Sequence, residues 1–142
     1  MDLQIHQQHE SVAIDTATGL MWQRFSLGQS FENGRVTGDA QKFNFDESLK
    51  AASEYEHLGF KDWRVPTIKE LLSIVDYDRF NPIIDTDVFL ETVPYHYWSS
   101  SPVHSSNSYA WVVDFYSGNS NWNLKDGDFF ARFFVRLVRN NV

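Results

Sequence analysis

The chain has 142 residues, enough for one domain built around one hydrophobic core. It contains no cysteine, which excludes disulfides, thiolate metal sites and cysteine nucleophiles, and its formal net charge of -7 speaks against a nucleic-acid binder or adhesion to anionic membranes. Aromatic residues make up 16% of it, with 12 Phe, 6 Tyr and 5 Trp, so rings must either fill the core or stand on a binding face.

Residues 1–11 carry no periodicity and are expected to form a flexible N-terminal arm, with residues 12–142 forming a single domain. Met1 to Glu10 is polar and lacks the apolar run of a signal peptide. The expected location is the cytoplasm, or the cell surface or exterior if a leader has been removed. No apolar run reaches the roughly 20 residues of a membrane span, so membrane insertion is not expected. Val12 to Ile14 and Leu20 to Arg24 read as a hairpin around Asp15-Thr16-Ala17-Thr18-Gly19, where Gly19 suits a positive φ. Ser26 to Asp39 is Gly-rich and polar and reads as a loop.

Two helices follow. Asn44 and Glu47 form a capping-box pair, and Phe45, Leu49, Ala52 and Tyr55 recur at helical spacing, with Gly59 as the expected terminator. Asp62 to Val65 is extended, as the approach to Pro66 requires. Thr67 and Glu70 form a second capping box, before an apolar face of Ile68, Leu71, Leu72 and Val75. Asp76 to Pro94 is irregular, with Pro82 and Pro94 as breakers, and is expected to be ordered by packing of Phe80, Ile83, Ile84, Phe89 and Leu90.

The last third has the period of strands. Tyr109, Trp111, Val113 and Phe115 alternate with Ala110, Val112, Asp114 and Tyr116. Ser117-Gly118-Asn119 is a turn. Ala131, Phe133, Val135 and Leu137 then alternate with Arg132, Phe134 and Arg136. A hairpin, two helices and several antiparallel strands make an α+β plan rather than repeating β-α units.

Five segments in order carry a family resemblance. They are Asp15-Thr16-Ala17-Thr18-Gly19-Leu20-Met21-Trp22, Asp62-Trp63-Arg64-Val65-Pro66-Thr67-Ile68-Lys69-Glu70-Leu71, Tyr97-Trp98-Ser99-Ser100-Ser101, Ala110-Trp111-Val112-Val113-Asp114-Phe115 and Val135-Arg136-Leu137-Val138-Arg139. Spanning Asp15 to Arg139, they resemble the bacterial C-terminal domain family of the Legionella collagen-like adhesin, a domain of unknown function. The resemblance implies a C-type-lectin-like fold, with two helices flanking a small twisted antiparallel sheet. It also implies kinship with retroelement-diversified variable proteins, which display a binding face from the C-terminal third. Fold alone does not settle function.

The residues of that third offer groups for binding. Tyr116, Asn119, Asn121, Trp122, Asn123, Asp126, Asp128, Phe129 and Arg132, with Asn107 and Tyr109, interleave rings with amides and carboxylates. Rigid rings give contact area at low entropy cost, and Asn adapts its hydrogen bonds, so a protein or carbohydrate ligand is expected here. Tyr95, His96, Ser105 and Ser106 belong to the same expected surface. Taken alone, the segment reads better as a solvated hairpin loop, and it is the resemblance that turns the reading toward binding.

Trp22, Trp63, Trp98 and Trp111 are expected in the core, and Arg64, Arg136 and Arg139 are expected to pair with Asp62, Asp76 or Asp114. The formylglycine-generating enzymes that share the implied fold hold copper through cysteines, which this chain lacks. His6 and His9 alone have a ligand-like spacing. Calcium is the one cation the stretch Asn119 to Asp128 would take, yet it matches no EF-hand loop, and the expectation is no cofactor. A Ser/His/Asp set composed of Ser99, His96 or His104, and Asp114 lacks a nucleophile elbow. The expectation is therefore a non-enzymatic recognition module, monomeric or a small homo-oligomer. The alternatives are an oligomerisation module of an adhesin or phage-type assembly, and an undescribed hydrolase.

Overall fold

The computed structural model describes residues 2–126 and 131–141. Its elements are β1 (Leu3–Ile5), β2 (Val12–Asp15), β3 (Leu20–Gln23), β4 (Ser30–Glu32), β5 (Arg35–Thr37), α1 (Phe45–Ser53), α2 (Ile68–Leu72), β6 (His96–Pro102), β7 (Tyr109–Asp114), β8 (Ser120–Leu124) and β9 (Val138–Asn140). The architecture is α+β. Among the described residues the strands form three antiparallel sheets, ordered β1-β2-β3-β9, β4-β5 and β6-β7-β8, where one sheet was expected.

The N-terminal hairpin forms as its turn chemistry dictates. Asp15 pairs with Leu20 across it, and Gly19 adopts φ 74°. Residues 3–5, expected to be part of a flexible arm, instead form β1 and pair with β2. The Asp15 carboxylate secures that edge by accepting from the amides of Asp2 and Ala17, at 3.1 and 3.0 Å. Backbone pairing of this kind needs no apolar alternation, so the sequence pattern does not announce it.

The expected loop over Ser26 to Asp39 contains the β4–β5 hairpin, turning through Asn33 and Gly34 at φ 52° and 78°. Two consecutive positive φ values define a primed turn, whose twist matches that of paired strands.

Both capping boxes are present. Asn44 and Glu47 exchange bonds with each other's backbone at 2.8 Å in each direction, and Thr67 and Glu70 do the same at 3.2 and 2.8 Å. Helix α1 stops at Ser53, however, well before Gly59. Leu58 (φ 57°) and Gly59 (φ 78°) form a separate two-residue turn, across which His57 and Phe60 exchange backbone bonds. Leu49 is 38% exposed, so the buried stripe of α1 is Phe45, Ser48 and Ala52.

The core has two parts. One gathers Met21, Phe45, Ala52, Trp63, Trp98, Val112, Phe133, Val135 and Leu137; the other gathers Trp22, Leu71, Ile74, Ile84, Phe89, Tyr97, Val113, Phe115 and Phe134. Adjacent residues of β6, Tyr97 and Trp98, feed opposite parts, as a pleated strand requires. The segment 133–137 divides its odd and even residues the same way, after the half-exposed Arg132. It is extended and joins the sheets: Leu27 and Gln23 donate to the carbonyls of Val135 and Leu137, and Trp98 donates to that of Phe134. With both of its faces covered, the alternation there separates two interiors instead of interior from solvent.

Ile84 and Phe89 are buried in the irregular stretch after α2, as expected, but Phe80 is 82% exposed. Its neighbour Arg79 turns to Asp76, Asp85 and Asp87, at 3.7, 3.1 and 3.7 Å, and the next side chain is left in water.

Candidate functional site

The site is built on the β6-β7-β8 sheet. Strand β7 pairs with β8 so that Trp111 faces Trp122 and Tyr109 faces Leu124. Side chains of a strand alternate between faces, so these four share one side of the sheet. Trp122 is 53% exposed and Leu124 is 44% exposed, while Tyr109 and Trp111 are half-buried. The Trp111 and Trp122 rings meet edge to face, with centroids 5.5 Å apart and planes at 85°. Farther along the same face Val113 is fully buried with Leu71, Ile74 and Val75. The face thus runs from a covered interior to an open aromatic ledge.

Trp111 was expected in the core and stands at this ledge instead. Trp22, Trp63 and Trp98 are buried as expected. Trp98 donates through Nε1 to the Phe43 carbonyl at 2.7 Å, which explains how a polar indole nitrogen is accommodated inside.

The expected array of rings and amides is divided by the pleat. Asn121 and Asn123 oppose Val112 and Ala110, which puts them on the side away from Trp122. Asn121 is exposed and Asn123 half-buried. Tyr116 and Asn119 are exposed in the β7–β8 turn, where the Tyr116 amide donates to Asp114 and that of Asn119 to Ser117. Asn107 is exposed between β6 and β7, and Asp126 is exposed beyond β8. Arg132 is engaged elsewhere, in an ion pair with Glu47 of α1 at 3.0 Å. Asp128 and Phe129 lie outside the described residues. Leu124 and Trp111 were missed as site residues, although the period-two spacing of Trp122 and Leu124 carried the signal.

Ser99, His96, His104 and Asp114 do not converge as a catalytic set. His96 lies opposite Asp114, Nε2 to Oδ2 3.9 Å, with Tyr95 stacked on the imidazole at 4.6 Å. Burial pushes the His96 imidazole below its ordinary value, against an upward pull from Asp114. Ser99 is buried and donates its hydroxyl to the Trp111 carbonyl at 2.7 Å, so it does not complete a relay with the other two. His104 is exposed on the β6–β7 connection. Among the described residues, no group of three or more His, Asp or Glu is arranged to hold a metal ion. His6 accepts from the amides of Gln8 and His9, a local turn contact.

The motif arginines have separate roles. Arg139 forks onto Asp62 at 2.6 and 3.1 Å, as expected, and covers the Phe60 ring. Arg64 forks instead onto Glu70 at 2.6 and 2.8 Å, and its hydrogen bonds hold the Glu70 carboxyl below its ordinary range. Arg136 is fully buried and has no carboxylate partner among the described residues. It donates to the Gln23 carbonyl and the Thr92 hydroxyl and lies over the Phe89 ring. A cleft of about 390 Å³ beside Leu20, Arg64, Lys69, Glu70 and Asn140 contains none of the expected site residues. No helix among the described residues is long and apolar enough to cross a membrane.

A small α+β domain with two structural capping boxes and an open aromatic sheet face is the class these observations define. The sequence model of the Lcl C-terminal domain matches residues 11–139, and the chain belongs to that family. The matched region contains both capping boxes, all three sheets apart from strand β1 and residue Asn140, and the whole ledge. No curated protein matches the chain.

Proposed function

We propose that the protein is a non-catalytic recognition module of C-type-lectin-like fold, binding a protein or glycan through the ledge of Tyr109, Trp111, Trp122 and Leu124. The packing of α1 and α2 residues against adjacent positions of β6 supports that fold: Phe45 meets Trp98 edge-on at 5.5 Å, and Leu71 joins Tyr97 in the other core cluster. One observation carries the functional reading. Trp122 leaves about half its surface in water although it sits in a regular strand and is braced by a second indole. Flat rings held in place lose little freedom when a ligand arrives, and aromatic anchors dominate binding surfaces. Asn107 supplies a polar contact on the loop beside the Tyr109 end of the sheet.

The reading is tested by applying the purified chain and its Trp122→Ser variant to arrays of immobilised glycans and proteins. Binding that disappears with the indole supports it. Identical patterns for the two proteins, or no binding by either, contradict it.

A second reading is an assembly module. Strand β8 is the edge of its sheet among the described residues, and its outer backbone groups and Leu124 are available to another strand. Sedimentation at two concentrations separates the readings: mass that rises with concentration and falls back in Leu124→Asp supports assembly, and a fixed monomer contradicts it.

A further inference from the structure

Apart from the ledge, the stretch between α2 and β6 carries the two most exposed large apolar side chains of the described residues, Phe80 at 82% and Tyr77 at 73%. Tyr116, 55% exposed, stands on the β7–β8 turn. The two segments adjoin. The Ile83 amide donates to the Phe115 carbonyl at 2.8 Å. A Cβ on Gly118 would come within 3.2–3.3 Å of Val75, Ile83 and Tyr77, so the turn lies directly against the loop. The three exposed rings are thus carried by two adjoining segments, with Tyr77 packed against the turn that holds Tyr116 and Phe80 three residues farther along the loop.

The surroundings of the rings are acidic. Asp76, Asp78, Asp85 and Asp87 share a single cation, Arg79, over residues 76–87. Arg79 is already engaged by Asp76, Asp85 and Asp87, and the Asp87 side chain is still 87% exposed. Asp78 is exposed and has no cationic partner among the described residues. Aromatic faces attract ammonium and guanidinium groups, and a rim of carboxylates steers cations toward them. A second copy of this chain, at net charge -7, would be repelled from the same surface.

We propose that the Tyr77, Phe80 and Tyr116 end is a second docking surface, and that its occupant is a cationic polypeptide segment bearing Arg or Lys on a partner protein. The rings take the aliphatic stems and the faces of the cations, and Asp78 and Asp87 meet their charge. This surface is independent of the Trp122 ledge.

The test titrates the full chain, by calorimetry at low salt, with a capped peptide of alternating Arg and Gly and with its citrulline counterpart, which keeps the shape and removes the charge. The expected result is binding of the Arg peptide, none of the citrulline peptide, at least tenfold weakening in the Tyr77→Ser/Phe80→Ser double variant, and no change in Trp122→Ser. A Phe80→Leu variant keeps apolar bulk without a ring, and it should also bind more weakly while melting as the parent does. Failure of the Arg peptide to bind overturns the proposal. So does equal binding by parent, Phe80→Leu and double variant, which would reduce the effect to net charge, and so does loss confined to Trp122→Ser, which would move it to the ledge.

Discussion

Trp111 and Trp122 are cross-strand partners whose rings meet edge to face, one half-buried and the other more than half in water. The inner ring limits the rotamers of the outer one, so an exposed indole is stiffened without being covered. Aromatic pairs of this geometry contribute about 0.5–1.5 kcal/mol beyond area burial, enough to bias a rotamer but not to hold a fold together.

The buried and exposed tryptophans should therefore separate in stability measurements. Trp98→Ala removes a fully buried ring and one of the two donors to the Phe43 carbonyl, and should cost about 3–5 kcal/mol. Trp122→Ala should cost about 1 kcal/mol or less, since most of its loss is in an exposed contact. Urea unfolding of both variants checks the contrast.

Glu70 closes the α2 capping box and receives the Arg64 fork. Replacing it with Ala removes a cap and two charge-assisted bonds together, with an expected loss of about 2 kcal/mol. Thr67→Ala, which removes one side of the cap alone, should cost about 1 kcal/mol. A double-mutant cycle between Arg64 and Glu70 should return a favourable coupling, and additive costs would assign the effect to the cap alone.

Acidification should weaken the fold before the carboxylates titrate. Burial lowers the imidazole of His96, and burial with the charge of His9 lowers that of His57. Unfolded histidine protonates near pH 6.5. Below that value the unfolded chain binds more protons than the folded one, so this stability is fully present above about pH 6.5 and is lost as pH falls toward the depressed folded values. Melting temperature should drop between about pH 7 and 5, and His96→Gln should flatten the slope over this range, the group's titration window.

Arg136 places a cation inside the core, where a carbonyl, a hydroxyl and ring faces meet its terminal nitrogens and its Nε has no hydrogen-bond partner among the described residues. Arg136→Ala opens a cavity as well as orphaning these acceptors and should cost about 3 kcal/mol or more. Arg136→Met fills most of the volume without a buried charge and should cost clearly less. Equal losses in thermal unfolding would show that the guanidinium bonds, and not the filled space, hold this region.

Local chemistry was legible in the sequence. Both helix starts follow from residue pairs three apart, and the first hairpin follows from its turn. The β4–β5 hairpin was equally written in Asn33-Gly34, but its three-residue strands offer one apolar residue each, the partners Phe31 and Val36, too few to show a period. Long-range relations were not legible. Arg136 finds Thr92 and Gln23, 44 and 113 residues away, and no local pattern distinguishes it from Arg139, which finds Asp62. The candidate site was half legible: the ring at Trp122 was identified, but a list of neighbouring residues ignores the pleat that turns Asn121 and Asn123 to the other side. Apolar residues in a long irregular stretch usually order it by packing, but Phe80 is left in water beside Arg79, which binds Asp76, Asp85 and Asp87 near the surface.

The proposed recognition role requires an indole at Trp122 that faces outward and is open to a ligand. The indole N–H resonances of the five tryptophans, recorded while a soluble paramagnetic agent is added, test it directly. Strong broadening of Trp122 with little change at Trp22 and Trp98 is the expected result. Protection of the Trp122 indole to the level of Trp98 would contradict it.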